Sequence, residues 1–123
     1  MVEALTAIRH LTSTRLPIGK SMLPYDILLV VLRQKPSDEK QTVKRLFASL
    51  PHSATGIRYH FDRLREDCWI KLTPDKIEAR VKVVIPTKKL MREFDSLCRN
   101  LMPIFETAAL PGERVSWPAK PLA

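Results

Sequence analysis

The chain has 123 residues, 45% of them apolar and 28% charged, which suits one domain with a single real core and excludes wholesale disorder. Its 21 Lys and Arg against 13 Asp and Glu give a formal charge of +8, which points to a polyanionic partner, nucleic acid ahead of a membrane surface. The longest apolar run, Ile27 to Leu32, has six residues, where a bilayer helix needs about 20, so no membrane span is expected.

Prolines at 17, 24, 36, 51, 74, 86 and 103 divide the chain into pieces of helix or strand length. Residues 3–15 place Leu5, Ile8 and Leu11, with Ala4, on one face of a short amphipathic helix, and 17–24 read as a loop. Residues 25–34 carry Ile27, Leu28, Val30, Val31 and Leu32, where periodicity alone does not separate a buried helix from a strand. Asp38 is a candidate N-cap with Gln41 at the capping-box position. It would open a helix running to about Leu50 that buries Val43, Leu46, Phe47 and Leu50. Pro51 prevents its continuation, and Ser53 offers the next N-cap. Behind it Ile57, Phe61 and Leu64 form an apolar stripe at i, i+4 and i+7, with Thr55, Arg58, Tyr59, Asp62 and Arg63 on the other face. Strands are expected at 69–72 and 81–85, joined by the polar loop 73–80 with Pro74 and Asp75 as turn formers. Thr87 caps a last helix with Leu90, Phe94, Leu97, Cys98 and Leu101 on one face, which Pro103 ends or kinks; from Pro111 the chain is expected to be extended.

Two helices around a turn at 49–53, followed at once by a two-stranded hairpin, make a winged helix-turn-helix, mainly α with a small β wing. In such a fold the second helix of the pair fits the major groove, and a cation-bearing hairpin loop reaches the adjacent groove.

The stretch from Ser53 to Leu90 resembles the MarR family of winged-helix transcriptional regulators. The matching residues are Asp62-Arg63-Leu64 late in the second helix and Trp69-Ile70 opening the wing. Glu78-Ala79-Arg80 follows at the wing tip, then Val81-Lys82-Val83-Val84 in the return strand and Pro86-Thr87 before the final helix. With 23–32 resembling the family's first core helix, the likeness covers roughly residues 23–100, and it decides for helix at 25–34. It implies a regulator that binds double-stranded DNA sequence-specifically, works as a homodimer and uses its terminal helices to dimerise; no particular effector is implied. Glu78 stands where the family has a wing Asp. Cys68 stands where it usually has a left-handed Gly, a conformation that costs a non-Gly residue about 1–2 kcal/mol. Either Cys68 adopts it, Asp67 does, or the turn differs.

On this reading 1–22 form a dimerisation arm, 23–86 the DNA-binding lobe, 87–110 a second dimerisation helix and 111–123 a Pro-rich tail. The expected DNA contacts are Ser53, Thr55, Gly56, Arg58, Tyr59 and Arg63 on the recognition helix and Lys76, Arg80 and Lys82 on the wing. Arg58 is the candidate base reader, since Arg is the commonest reader of guanine. Arg80 resembles the family's minor-groove arginine, and narrow minor grooves attract Arg. Residues 76–92 hold six cations against Glu78 alone, a local charge of +5 suited to phosphate. Among Lys40, Lys44 and Arg45 on the bracing helix, one phosphate contact is expected.

His10, His52 and His60 have no partner carboxylate or cysteine at ligand spacing, and Cys68 and Cys98 are far apart without a CxxC, so neither a metal site nor a disulfide framework is expected. Cys98 falls on the apolar stripe of the last helix, whereas Cys68 is expected near the surface. Two lone cysteines, with Glu3 and Arg9 interrupting any secretory core, suit a reduced cytoplasmic setting. No GxGxxG, P-loop, HExxH or nucleophile elbow is present, so neither catalysis nor a cofactor is expected. The competing class is a winged-helix protein-interaction module without DNA binding, since Asp62 and Glu66 dilute the charge of the recognition helix.

Overall fold

The computed structural model describes residues 1–33 and 40–108, the side chain of Ala108 excepted. Five helices and one antiparallel hairpin follow in the order α1 Val2–Arg15, α2 Leu23–Leu32, α3 Val43–Ser49, α4 Ala54–Glu66, β1 Ile70–Pro74, β2 Lys82–Pro86 and α5 Lys88–Ala108. No helix among the described residues is long and apolar enough to cross a membrane.

α1 packs chiefly along α5. Its expected apolar face is only partly used: Leu11 touches the core, Leu5 is 59% exposed, and the buried residue is Thr12. The Thr12 hydroxyl is satisfied inside the helix by donating to the Ile8 carbonyl at 2.7 Å. α2 starts two residues before the expected position and takes Leu23 and Pro24 out of the presumed loop. Proline is tolerated in a first turn because the N–H it lacks would have no partner there. Ile27, Leu28 and Val31 are fully buried at the centre of the core.

α3 is shorter than expected. Its N-cap is Thr42, whose hydroxyl accepts from the Arg45 N–H at 3.1 Å; Asp38 lies outside the described residues. The reason is long-range. Gln41 and Thr42 are drawn alongside β2, where Thr42 bridges Val83 and the Val84 N–H donates to the Gln41 carbonyl at 2.8 Å. Extended backbone so committed cannot also be helical.

α4 begins where the sequence places it. The Ser53 hydroxyl accepts from the Gly56 N–H at 3.1 Å, and Ile57, Phe61 and Leu64 are buried. The helix ends in a Schellman motif: Trp69 N–H donates to the Leu64 carbonyl at 2.9 Å and Cys68 N–H to the Arg65 carbonyl at 3.0 Å. Cys68 itself takes the left-handed residue, at φ 63°, and Asp67 stays at φ −85°.

The strands lie one residue further along than expected at their starts, with Ile70 opposite Pro86, Leu72 opposite Val84 and Pro74 opposite Lys82. Thr87 then works in two directions. Its hydroxyl accepts from Leu90 N–H at 3.2 Å, capping α5, and lies 2.6 Å from the Cys68 carbonyl and 3.1 Å from that of Trp69. Pro103 does not end α5, which continues to Ala108. Cys98 is half-buried, and desolvation, with Asp95 second, pushes its thiol pKa up, so it stays protonated at neutral pH.

The Cys68 side chain makes one weak contact, Sγ to the Glu66 carbonyl at 3.9 Å, so little is lost with it. Cys68→Gly removes about 1–2 kcal/mol of left-handed strain against about 0.5–1 kcal/mol for glycine's greater freedom when unfolded. Thermal denaturation should show the variant melting a few degrees higher, with Cys68→Ala close to the parent protein.

Candidate nucleic-acid interface

α3, α4 and the hairpin surround an open groove of about 760 Å³ with an apolar floor of Val43, Phe47, Phe61 and Leu72 and a rim of Lys44, Arg58, Arg80 and Lys82. Three of the expected DNA contacts, Arg58, Arg80 and Lys82, are therefore brought together from two elements far apart in sequence. Arg58 lies across the floor. Its guanidinium carbon is 4.7 Å from the Phe47 ring centre and 5.7 Å from that of Phe61, and Nη1 is 3.6 Å from the Asp62 carboxylate. Stacking on aromatic faces is a property of the planar guanidinium that lysine does not share.

Ser53, Thr55, Tyr59 and Arg63 lie elsewhere around α4, all exposed. Tyr59 and Arg63 act as a unit: Arg63 Nη1 donates to the Tyr59 hydroxyl at 3.0 Å, with its guanidinium 5.6 Å from the ring centre. Ser53 spends its hydroxyl on the helix cap. Gly56 faces inward. A Cβ there would lie 3.1 Å from Ser53 Oγ, a tight contact, and 3.5 Å from Leu23 Cδ1, an ordinary one, so the glycine leaves room for the Ser53 cap. Lys76 is exposed on the wing loop.

The wing loop is held at its base. Asp75 N–H donates to the Val81 carbonyl at 2.9 Å and Val81 N–H to the Glu78 carbonyl at 2.9 Å. The Asp75 carboxylate accepts from Glu78 N–H at 3.1 Å and from the Lys40 ammonium. Lys40, one of the candidate phosphate contacts, is thus engaged inside the protein, and Lys44 faces the groove. The Asp75 turn was legible in the sequence; its partner, 35 residues away, carries no local signal.

His52 meets a carboxylate from far along the chain, 26 residues away. Its Nε2 lies 3.1 Å from Asp26 Oδ2, joining α2 to the turn between α3 and α4. No three His, Cys, Asp or Glu among the described residues come together as a metal would require.

No protein-family model and no curated protein matches the chain. Solved structures do. A MarR-family transcriptional regulator from Rhodococcus sp. RHA1 shares 18% identity over 85% of this chain and 69% of its own, with a TM-score of 0.55. CouR from Rhodococcus jostii RHA1, bound to p-coumaroyl-CoA, shares 18% over 91% of this chain and 73% of its own, with a TM-score of 0.59. The fold is the MarR winged helix. A transcriptional regulator from Thermotoga maritima is similar at 14% identity, covering 87% of this chain and 78% of its own, with a TM-score of 0.53. Within the MarR fold α3 and α4 are the helix-turn-helix pair and β1–β2 the wing, so the cationic groove lies between the second helix of that pair and the wing.

The Lys40 hydrogen bond, and after it the Glu78 amide, hold the Asp75 carboxyl below its ordinary value. Because the folded-state value is depressed, the stability it contributes to the wing is present above about pH 4 and is lost as the pH falls through the folded value. Hydrogen exchange at the Glu78 and Val81 amides, corrected for intrinsic rate, should be protected at pH 5 to 7 and lose protection below about pH 4. Asp75→Asn should weaken that protection at pH 5 to 7 and remove its acid step, so that the two proteins converge in acid.

Proposed function

We propose that the protein is a transcriptional regulator that binds double-stranded DNA sequence-specifically, with residues 53–66 in a major groove and the wing, 73–82, in the adjacent minor groove. The observation that carries this reading is the convergence of Lys44, Arg58, Arg80 and Lys82 on one groove between recognition helix and wing. Phosphate attracts such a rim, and Lys82 and Lys44 are assigned to the backbone. Thr55, Tyr59 and Arg63 present hydroxyl and guanidinium groups along the exposed part of α4. Ser53 and Gly56 set the first turn, where free backbone N–H groups suit phosphate. Arg58 reads a base edge after exchanging Asp62 for DNA, and Arg80 enters the minor groove with Lys76 beside it.

The reading includes a homodimer formed by the terminal helices. Val2 and Leu5 on α1 and Met102 on α5 are exposed beside a shallow, mostly apolar groove of about 420 Å³ lined by Met1, Ala4, Ala7, Pro103 and Ile104. A two-fold dimer sets its recognition helices about 34 Å apart, one DNA turn. Light scattering at micromolar concentration should give twice the chain mass; a monomer removes the basis for a palindromic operator.

Gel-shift titrations on host DNA fragments at two salt concentrations test the DNA reading directly. Affinity should fall steeply with salt as counterions are released. Arg58→Ala should cost about 1–3 kcal/mol on the preferred site and relax its sequence preference. Lys82→Ala should weaken all DNA evenly and make the salt dependence shallower. Arg80→Ala should matter most on A/T-rich flanks. Wild-type binding that neither arginine variant changes means the surface is wrongly assigned. No binding at low salt favours the protein-interaction module, for which Asp62 and Glu66 offer acidic contacts on the same helix.

A further inference from the structure

At the wing tip Ile77 is 89% exposed, more than any other large apolar side chain among the described residues. Scattered exposed apolar residues are ordinary, so exposure alone means little. What distinguishes Ile77 is how it is held and what surrounds it. Its loop is closed by Asp75 to Val81, Val81 to Glu78 and Glu78 to the Asp75 carboxylate, and Lys40 fixes that carboxylate from outside the hairpin. A side chain on so tied a loop is presented to solvent rather than left there by slack. Lys76 precedes it and Arg80 follows three residues on, while Asp75, one of the two nearby carboxylates, is engaged by Lys40.

We propose that Ile77 is an apolar contact that the wing lays into the DNA minor groove, with Asp75, held by Lys40, as the positioning residue that presents it. The inference rests on the DNA-binding reading above. A minor groove offers what this tip complements: apolar sugar walls and base edges to receive isoleucine, and a concentrated negative potential to receive the cations on either side. Side chains such as isoleucine wedge against or between base steps in minor-groove binders and bend the duplex away from themselves. An anionic membrane complements the charge but needs far more apolar area than one side chain beside Glu78 supplies.

The test uses the full chain, two duplexes of about 30 base pairs, one A/T-rich and one G/C-rich, and vesicles of anionic phospholipid. Ile77→Ala should lose about tenfold in affinity for the A/T-rich duplex, the order expected for an apolar side chain that leaves water on binding. It should lose much less on the G/C-rich duplex, where the guanine amino group obstructs the groove floor. The salt slope should be unchanged, because an apolar contact releases no counterions, whereas Lys76→Ala should flatten it. Asp75→Asn provides a test of sign. Removing a negative charge from a basic surface should tighten DNA binding; loss of positioning should weaken it, most on the A/T-rich duplex, and we expect the weakening. A duplex labelled at both ends for energy transfer should bend less with either variant than with wild type.

Wild-type binding with Ile77→Ala equal to it, or with equal losses on both duplexes, overturns this inference and leaves the DNA reading standing. Tighter binding by Asp75→Asn overturns the positioning role. A wild-type protein that binds neither duplex overturns both readings, and Ile77-dependent sedimentation with the vesicles would make the wing a membrane contact instead. Ile77 is exposed, so circular dichroism should show its alanine variant folded as wild type.

Discussion

The end of α4, both ends of the hairpin and the start of α5 are joined through a few residues around Cys68 and Thr87. Cys68 turns left-handed so that Trp69 can close the Schellman motif. The carbonyls of Cys68 and Trp69 then face the Thr87 hydroxyl, which in turn caps α5. Lys89, in the first turn of α5, donates to the Asp67 carbonyl at 2.8 Å and lies 4.3 Å from the Trp69 ring centre, so a cation sits at the negative end of α4. These links tie the base of the wing to the end of α4. The groove of Val43, Phe47, Arg58, Arg80 and Lys82 lies between these two joined elements.

That joint also explains why a cysteine is tolerated where glycine is easier. The left-handed turn costs about 1–2 kcal/mol for a residue with a Cβ, and the Schellman hydrogen bonds together with the burial of Trp69 and Ile70 on either side of the wing entry offset it. Strain of this size is affordable at one position when the surrounding packing determines the conformation.

Two carboxylates on the basic face meet cations of the same protein: Asp62 beside Arg58, Asp75 on Lys40. The two pairs differ in kind. Arg58 and Asp62 are both about half exposed at 3.6 Å, a class of ion pair worth about 0–1 kcal/mol. The Asp62 contact therefore holds Arg58 only weakly, whereas stacking on Phe47 keeps its guanidinium in the groove. Asp75 is more sheltered and also accepts from a backbone amide, so it behaves as a fixed part of the loop.

Much of this was legible in the amino-acid sequence because it follows from interactions between residues three or four apart. Ser53 as a cap, the Ile57–Phe61–Leu64 stripe, the Thr87 cap and the hairpin between them are local, and each appears within a residue or two of its expected place. The late start of α3 was not legible, because it depends on Thr42 pairing with Val83, a residue far along the chain, which holds the backbone extended just before the helix. Nor were Lys40 on Asp75, His52 on Asp26, or Arg58 turned over Phe47 toward the wing. Local preference is set by the backbone and by neighbours along the chain. Which distant side chains meet is set by how the helices and the hairpin pack, and only the folded core of Ile27, Leu28, Leu46, Phe61 and Val84 decides that.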